Sequence, residues 1–493
     1  MLTWFLPLFL VFLLIGTPVF FALLLAPGLL LWFSGQERDI ALLYRNVYNG
    51  MDSFPLMALP FFMLAGEMMN KGGITTRLVD FSQAIMGHLR GGLAHVNILS
   101  SMLFAGLSGS AVADTSALGS TLIPAMEKNG YTRKFAAAVT AASSVIGPII
   151  PPSGIMIIYA YVMGESVAAL FLAGIVPGVL VGVGLMLVVR LMADKYDLPK
   201  AERIVNKNQS IGVLEYWVSL ILLRINFAGL LYAITSGLIA LAGIALSGWM
   251  LFLVMLPIAH FILMGVRRQV SYDFRLICKK AVAPLQAPII ILGGILVGVF
   301  TPTEASAAAV AYAFLVSFFV LRTMKLSDLP DILMRSAMGA STVLLLVGAA
   351  VAFKVVVSLS HAPEQLAEFV LGLSENPLIL LFLINILLFI VGMFLDAGPA
   401  IIILGPILGP VFVDLGVHPV HFAIIMSVNL TVGLATPPMG LVLFVASSVS
   451  GERVETISKA ILPFLAVEVI VIFLITFVEP ISMFIPRLTG FVQ

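Results

Sequence analysis

Leu122–Gly154 reads LIPAMEKNGYTRKFAAAVTAASSVIGPIIPPSG, and Leu408–Gly440 reads LGPVFVDLGVHPVHFAIIMSVNLTVGLATPPMG. The two stretches align without a gap at a constant offset of 286. Pro124 falls on Pro410, Gly130 on Gly416, Gly147 on Gly433, Pro151-Pro152 on Pro437-Pro438 and Gly154 on Gly440. Coincident glycines and prolines carry weight because these residues fix backbone shape. Upstream, Thr17-Pro18 and Thr301-Pro302 stand at nearly the same separation. A duplicated chain is expected: a first repeat over 1–200, a central connection over 201–282, and a second repeat over 283–493.

The solvent of these repeats follows from composition. Of the 493 residues, 61% are hydrophobic and 10% charged, whereas a soluble domain carries about 25% charged residues. Apolar runs recur throughout, as at Leu2–Phe33, Ala283–Phe300, Val343–Phe353 and Ile461–Val478. A helix crosses a bilayer with about 20 apolar residues, so the chain has room for about ten crossings. An all-α polytopic membrane protein is expected; the resemblance described below implies a bacterial inner membrane as its location. No Lys or Arg precedes Arg38, and the first apolar run exceeds a signal core, so it reads as a retained membrane segment. The net charge of +1 says nothing about nucleic acid, but no dense basic block of the sort that binds it occurs, so none is expected as a partner. The single cysteine, Cys278, excludes an intramolecular disulfide. With no Gly-Lys pair there is no phosphate-binding P-loop, and metalloprotease and nucleophile-elbow motifs are missing too. An enzyme is therefore not expected.

Charge orients the repeats oppositely. Glu127–Lys134 holds Lys128, Arg133 and Lys134, while its counterpart Val413–Val420 holds no Lys or Arg. Basic loops favour the cytoplasm, so the two loops are expected on opposite faces. Inverted halves are characteristic of secondary transporters, whose sites lie between the halves near the midplane. The central connection has basic ends, with Lys195, Lys200, Arg203 and Lys207 at one and Arg267, Arg268, Arg275, Lys279 and Lys280 at the other. Two apolar runs between them, Ile225–Leu246 and Trp249–Val266, predict a helical pair. Ile211–Arg224 is expected along the membrane interface, with Tyr216 and Trp217 at headgroup depth.

Each half has two places where an ordinary helix cannot continue. The first is a re-entrant hairpin, over about 92–127 and 376–413. Its tips are Gly106–Ser116, which contains Ser108-Gly109-Ser110, and Phe394–Pro399, which contains Asp396-Ala397-Gly398. The second is a broken crossing, over about 134–162 and 420–449, interrupted at Gly147–Gly154 and Gly433–Gly440. Prolines free backbone carbonyls, and freed groups at membrane depth need protein, water or an ion. Carbonyls and hydroxyls suit a hard cation such as Na+, while half-helix N-termini suit a carboxylate. The expected cation sites are Ser108, Gly109, Ser110, Gly147, Ile150 and Pro152 in one half, and Asp396, Ala397, Gly398, Gly433, Thr436 and Pro437 in the other. Ser153, Met439 and Asp114 are assigned to the substrate region.

Single polar residues carry less. Asp396 stands between apolar stretches, where acids are functional by default; the plain alternative is a surface loop. Asp114 either orients the first tip or caps the returning helix. Glu304 reads as an acid in a helix first turn, and Lys354 as paired with an acid or snorkelling. His418-x-x-His421 has no carboxylate or cysteine support for a metal.

With these motifs in view, the chain resembles the large membrane subunit of tripartite ATP-independent periplasmic (TRAP) transporters, the DctM-like family. The resemblance rests on Gly298–Ala305 (GVFTPTEA), Ser108–Ser110, Gly147–Ser153 and Gly433–Gly440, and covers about 1–200 and 280–490. It implies an elevator mechanism, Na+ as the coupling ion with no other cofactor, a small membrane subunit, and a periplasmic substrate-binding protein. The implied substrates are small organic anions, dicarboxylates or sugar acids. The apolar pair within 211–266 departs from the family pattern as an apparent insertion, which puts the usual docking of the small subunit in question. A stand-alone Na+/dicarboxylate symporter of similar inverted design is the rival reading.

Overall fold

The computed structural model describes residues 7–9, 11–12, 14–33, 35, 37–195, 198–199, 211–241, 248–359, 368, 372, 374 and 376–492. Among them the regular structure is helical, and nine helices are long and apolar enough to cross a membrane. Lys200, Arg203, Lys207 and the side chain of Lys195 lie outside the described set.

The first apolar run is interrupted at Gly16 (φ 87°), and α1 (Val19–Phe33) begins after Thr17-Pro18. α2 (Glu37–Met51), α3 (Ala58–Lys71) and α4 (Ile74–Met86) follow. Then come α5 (Gly92–Ser108), α6 (Ala111–Lys128), α7 (Arg133–Ser144), α8 (Gly154–Met163) and α9 (Val167–Lys195). The central connection forms α10 (Val213–Leu241) and α11 (Gly248–Arg267), followed by α12 (Tyr272–Leu296). α13 (Pro302–Leu315) and α14 (Leu329–Leu359) precede α15 (Pro377–Phe394), α16 (Ala397–Asp414), α17 (Pro419–Gly433), α18 (Leu441–Ser450), α19 (Val454–Phe477) and α20 (Pro480–Leu488).

Element bounds keep the sequence offset. α6 and α16 begin at Ala111 and Ala397 and end at Lys128 and Asp414. Both Pro-Pro bonds, Pro151-Pro152 and Pro437-Pro438, are cis. The contacts are also reciprocal: α6 packs on α18, and α16 packs on α8. α14 packs along α1, α2 and α3, and also touches α8 and α16.

The start of α13 follows from local chemistry. Thr301 Oγ1 accepts from Glu304 N at 3.3 Å, and Glu304 Oε2 accepts from Thr301 N at 2.8 Å, a closed capping box. Glu304 thus has the helix-start role read from the sequence.

The interfacial stretch expected over Ile211–Arg224 is corrected. Residues 213–241 form one helix of 29 residues that runs on through Arg224, and Val213–Tyr232 is long and apolar enough to cross a membrane. Arg224 is accommodated inside the pair: Nε donates to His260 Nδ1 at 2.9 Å and Nη1 to Leu220 O at 2.8 Å. The pair is held to the rest of the chain by an Arg77–Glu215 ion pair and by Asn226 Nδ2 donating to Gln286 Oε1 at 2.7 Å. Its own small apolar cluster centres on Ala228, Met255 and Ala259.

Candidate functional site

Four interruptions of helix define the candidate site. α5 ends at Ser108, Gly109 turns the chain with φ 60°, and Ser110 caps α6 by accepting from Ala113 N at 3.4 Å. α7 ends at Ser144, and after the Gly-Pro stretch Ser153 caps α8 by accepting from Met156 N at 3.3 Å. Asp396 caps α16, its Oδ1 accepting from Ala397 N at 2.8 Å. α18 starts after Gly440 without a side-chain cap.

A cavity of ≈ 220 Å³ collects three of these starts. Ser108, Gly109, Ser110, Ala111 and Val112 line it from the first tip, Pro148, Pro152, Gly154 and Ile155 from the first break, and Asp396, Gly398 and Pro399 from the second tip. The second break contributes Leu434, and Val343 and Leu346 of α14 with Leu59, Phe62 and Met63 of α3 close the apolar side. The N-terminal ends of α6, α8 and α16 therefore border one space. Each helix N-terminus carries unpaired N–H groups and a partial positive charge of roughly half an elementary unit.

Not every expected residue reaches this cavity. Asp114 is fully buried and accepts from Ser108 Oγ through Oδ1, while Oδ2 has no hydrogen-bond partner among the described residues. Gly147 lies against that free oxygen, since a Cβ there would overlap Asp114 Oδ2. Ser108, Asp114 and Gly147 thus form a cluster beneath the tip, connected to the cavity through Ser108. Gly109 stands over Pro152, whose carbonyl oxygen would be 2.6 Å from an added Cβ. Ile150 turns its side chain onto Gly178 of α9, so only its backbone is available to a ligand.

In the second half, Asp396 is exposed to the cavity and Ala397 is buried beside it. Gly433 is a close-approach position: an added Cβ would lie 2.5 Å from Gly392, where α15 and α17 touch through backbone. Thr436 Oγ1 donates back to Val432 O at 2.9 Å, and Pro437 is half-buried. Neither lines the cavity, and Met439 is 57% exposed outside it. Ser153 is buried at the start of α8.

Further polar groups were not singled out by sequence. Asn97 Nδ2 donates to Thr140 Oγ1 at 2.6 Å, and Ser101 Oγ to Ser143 Oγ at 2.8 Å, linking α5 to α7. At the equivalent level of the second half, Asn429 Nδ2 and Thr476 Oγ1 both donate to Asn385 Oδ1, at 2.6 and 3.1 Å. Glu468 in α19 is fully buried, and among the described residues neither carboxyl oxygen has a hydrogen-bond partner. An acid inside the run Ile461–Val478 is visible in the sequence and was the available signal.

Two single-residue readings resolve differently. Among the described residues Lys354 meets no acid; Nζ donates to Val162 O at 2.5 Å, where the C-terminal carbonyls of α8 offer an acceptor in place of a carboxylate. His418 caps α17 by accepting from Val420 N at 3.2 Å, and His421 is engaged by Ser482 and Thr476 O. Among the described residues no group of three or more metal-ligating side chains exists.

These features define a polytopic α-helical membrane protein with paired helix breaks around a central cavity. The family described as "Tripartite ATP-independent periplasmic transporter, DctM component" matches residues 6–256 and 233–481. The chain is similar to the C4-dicarboxylate TRAP transporter large permease protein DctM of Pseudomonas aeruginosa, 34% identical over 94% of this chain and 92% of that relative. It is also similar to the sialic acid TRAP transporter large permease protein SiaM of Vibrio cholerae, 34% identical over 96% and 95%. The isethionate TRAP transporter permease protein DctMQ of Oleidesulfovibrio alaskensis is 34% identical over 97% of this chain and 65% of that protein. In fold, the chain resembles the YdaH transporter of Alcanivorax borkumensis, with TM-score 0.53, 16% identity, and coverage of 93% and 90%. The chain belongs to the DctM component family of TRAP transporters, multi-pass proteins of the inner membrane whose relatives here are transporter permeases.

Proposed function

We propose that this chain imports a small organic anion, of the C4-dicarboxylate or sugar-acid class, driven by Na+. The observation that carries the reading is the meeting of the α6, α8 and α16 N-termini at one cavity. Three positive helix ends favour a carboxylate without requiring a fixed cationic side chain. Apolar residues of α3 and α14 face the uncharged part of the substrate. Beneath the first tip, Ser108, Asp114 and the backbone at Gly147 offer oxygens to Na+, and Asp114 Oδ2 is the unspent ligand. A second cation site is assigned to Asp396, Ala397, Gly398, Gly433, Thr436 and Pro437. Binding of Na+ beside the tip would neutralise Asp114 and allow the anion to settle next to it.

The reciprocal contacts of α6 with α18 and of α16 with α8 support an inverted repeat. We assign α5–α8 and α15–α18 to a unit that moves as an elevator against α1–α3, α13 and α14. A periplasmic binding protein would deliver the anion, and a small membrane subunit would enlarge the scaffold. The fused name of the DctMQ relative supports the latter partner.

The test is uptake of labelled organic acids into proteoliposomes holding this chain with the neighbouring small subunit. An inward Na+ gradient and the co-encoded binding protein are each supplied or omitted. Uptake that requires both is expected. Uptake needing Na+ alone would replace the tripartite reading with a stand-alone symporter. Failure of every acid in vesicles that pass a reconstitution control would end the organic-anion reading.

A further inference from the structure

We infer that the cavity between the start of α5 and the end of α9 binds a phosphate group, supplied by an anionic glycerophospholipid of the cytoplasmic leaflet. This cavity, of ≈ 440 Å³, is lined by His88, Leu89, Arg90, His95, Arg190 and Asp194. It is distinct from the transport cavity and shares none of its residues.

The charge arrangement argues for an anion. Arg90 Nη1 pairs with Asp194, which holds that guanidinium at the cavity wall. Arg190 is exposed into the same space and forms no hydrogen bond or ion pair among the described residues. Two guanidinium groups and two imidazoles thus border the space with one carboxylate to offset them. Arginine forks match phosphate oxygens in a way that few other side chains do.

Position argues for a lipid as the source. α9 is long and apolar enough to cross the membrane over Val167–Asp194, which puts Arg190 near the end of that span, at headgroup depth. Directly beside it, Leu187 and Leu191 are 58% and 71% exposed, an apolar surface suited to acyl chains. The side of the membrane follows from hydrogen bonds. Pro199 O accepts from Gly91 N at 3.1 Å and from Tyr131 Oη at 3.4 Å, which brings the start of α5 and the loop after α6 to one level. That loop is flanked by Lys128, Arg133 and Lys134, and basic loops lie on the cytoplasmic face, where anionic lipids concentrate. A phosphate held here would fix the cytoplasmic end of α5, whose other end is the Ser108-Gly109 tip.

The experiment is native mass spectrometry of the full-length protein in mild detergent. Phosphatidylglycerol, phosphatidylcholine and inorganic phosphate are each titrated in. Phosphatidylglycerol should be retained at least tenfold better than phosphatidylcholine, and millimolar inorganic phosphate should not displace it. Arg190→Gln should weaken retention about fivefold, the worth of one basic contact near a charged surface, and Arg190→Lys, which keeps the charge without the fork, should weaken it less. Asp194→Asn removes the opposing carboxylate and should strengthen retention, a gain that a misfolded variant could not produce. Equal retention of both lipids, or Arg190→Gln and Asp194→Asn both matching the wild type, would overturn the site. Displacement by inorganic phosphate would overturn the lipid as its source.

Discussion

Lys354 of α14 donates from Nζ to the carbonyl oxygen of Val162 at 2.5 Å, closing the C-terminal end of α8 with a cation from another helix. The last carbonyls of α8 have no partner within their own helix, and the helix terminates at Gly164, whose φ is 80°. A charge-assisted bond to such a group is worth about 2 kcal/mol, and a cation also suits the negative end of the helix dipole. Lys354→Met is expected to lower stability by that amount, read as a lower thermal unfolding midpoint of the protein in detergent. α14 belongs to the proposed scaffold and α8 to the proposed moving unit, so this bond must break in each cycle. The substitution should therefore change maximal uptake rate more than half-saturation. An unchanged midpoint together with unchanged kinetics would refute the assignment.

Gly109 carries two separate constraints, a φ of 60° and a Pro152 carbonyl oxygen 2.6 Å from any added Cβ. Gly164 carries only the first, with φ 80° and open space around it. Left-handed backbone costs an alanine about 1 kcal/mol, while a backbone clash in a packed tip costs roughly 1–3 kcal/mol more. Gly109→Ala should abolish uptake and lower the melting midpoint clearly further than Gly164→Ala. Equal loss from the two variants would mean that the tip is not held against the first break.

What was legible in the sequence were the places where backbone must depart from a helix. Gly109, Ser110 and the Pro151-Pro152 and Pro437-Pro438 pairs constrain the chain by their own chemistry, and helices do stop at each. The constant offset likewise predicts that α6 and α16 share their bounds. Which polar atoms face one another was not legible. In an apolar helix the lipid-facing and buried sides are both hydrophobic, so periodicity carries little information about orientation. Hence the sequence leaves Lys354 either paired with an acid or snorkelling, cannot say whether Thr436 and Met439 line the cavity, and hides Glu468 among its apolar neighbours. The interfacial reading of Ile211–Arg224 failed for a related reason. A charged residue such as Arg224 resembles the end of a span unless its partner, His260, is known.

Asn385 is the shared acceptor for Asn429 of α17 and Thr476 of α19, and all three are buried. Asn385→Leu leaves the Asn429 amide without that acceptor, at a cost of about 1–3 kcal/mol; Thr476 still donates to Ile472 O at 2.9 Å. Asn385→Asp keeps the acceptor. Thermal unfolding in detergent should show a clear loss for the leucine variant and a smaller one for the aspartate. Equal midpoints for Asn385→Leu and the wild type would show that the network contributes packing alone.

The cluster of Ser108, Asp114 and Gly147 gives the sharpest test of cation coupling. Asp114 is fully buried with one oxygen engaged by Ser108 and the other unpartnered, directly against Gly147. If the free oxygen serves Na+, Asp114→Asn keeps the shape and loses the charge. Half-saturating Na+ should then rise at least tenfold, about 1.4 kcal/mol, with little change in unfolding midpoint in Na+-free buffer. Ser108→Ala should raise it less, and the double variant should fall short of the sum because both residues act through one site. Gly147→Ala forces a methyl group onto Asp114 Oδ2 and should mimic the aspartate variant. The alternative, that Asp114 only positions the first tip, predicts a loss of substrate affinity at every Na+ concentration with no shift in Na+ dependence. Uptake titrated against Na+ at saturating substrate separates the two, and a Na+ curve for Asp114→Asn that overlays the wild type would remove Asp114 from the cation site.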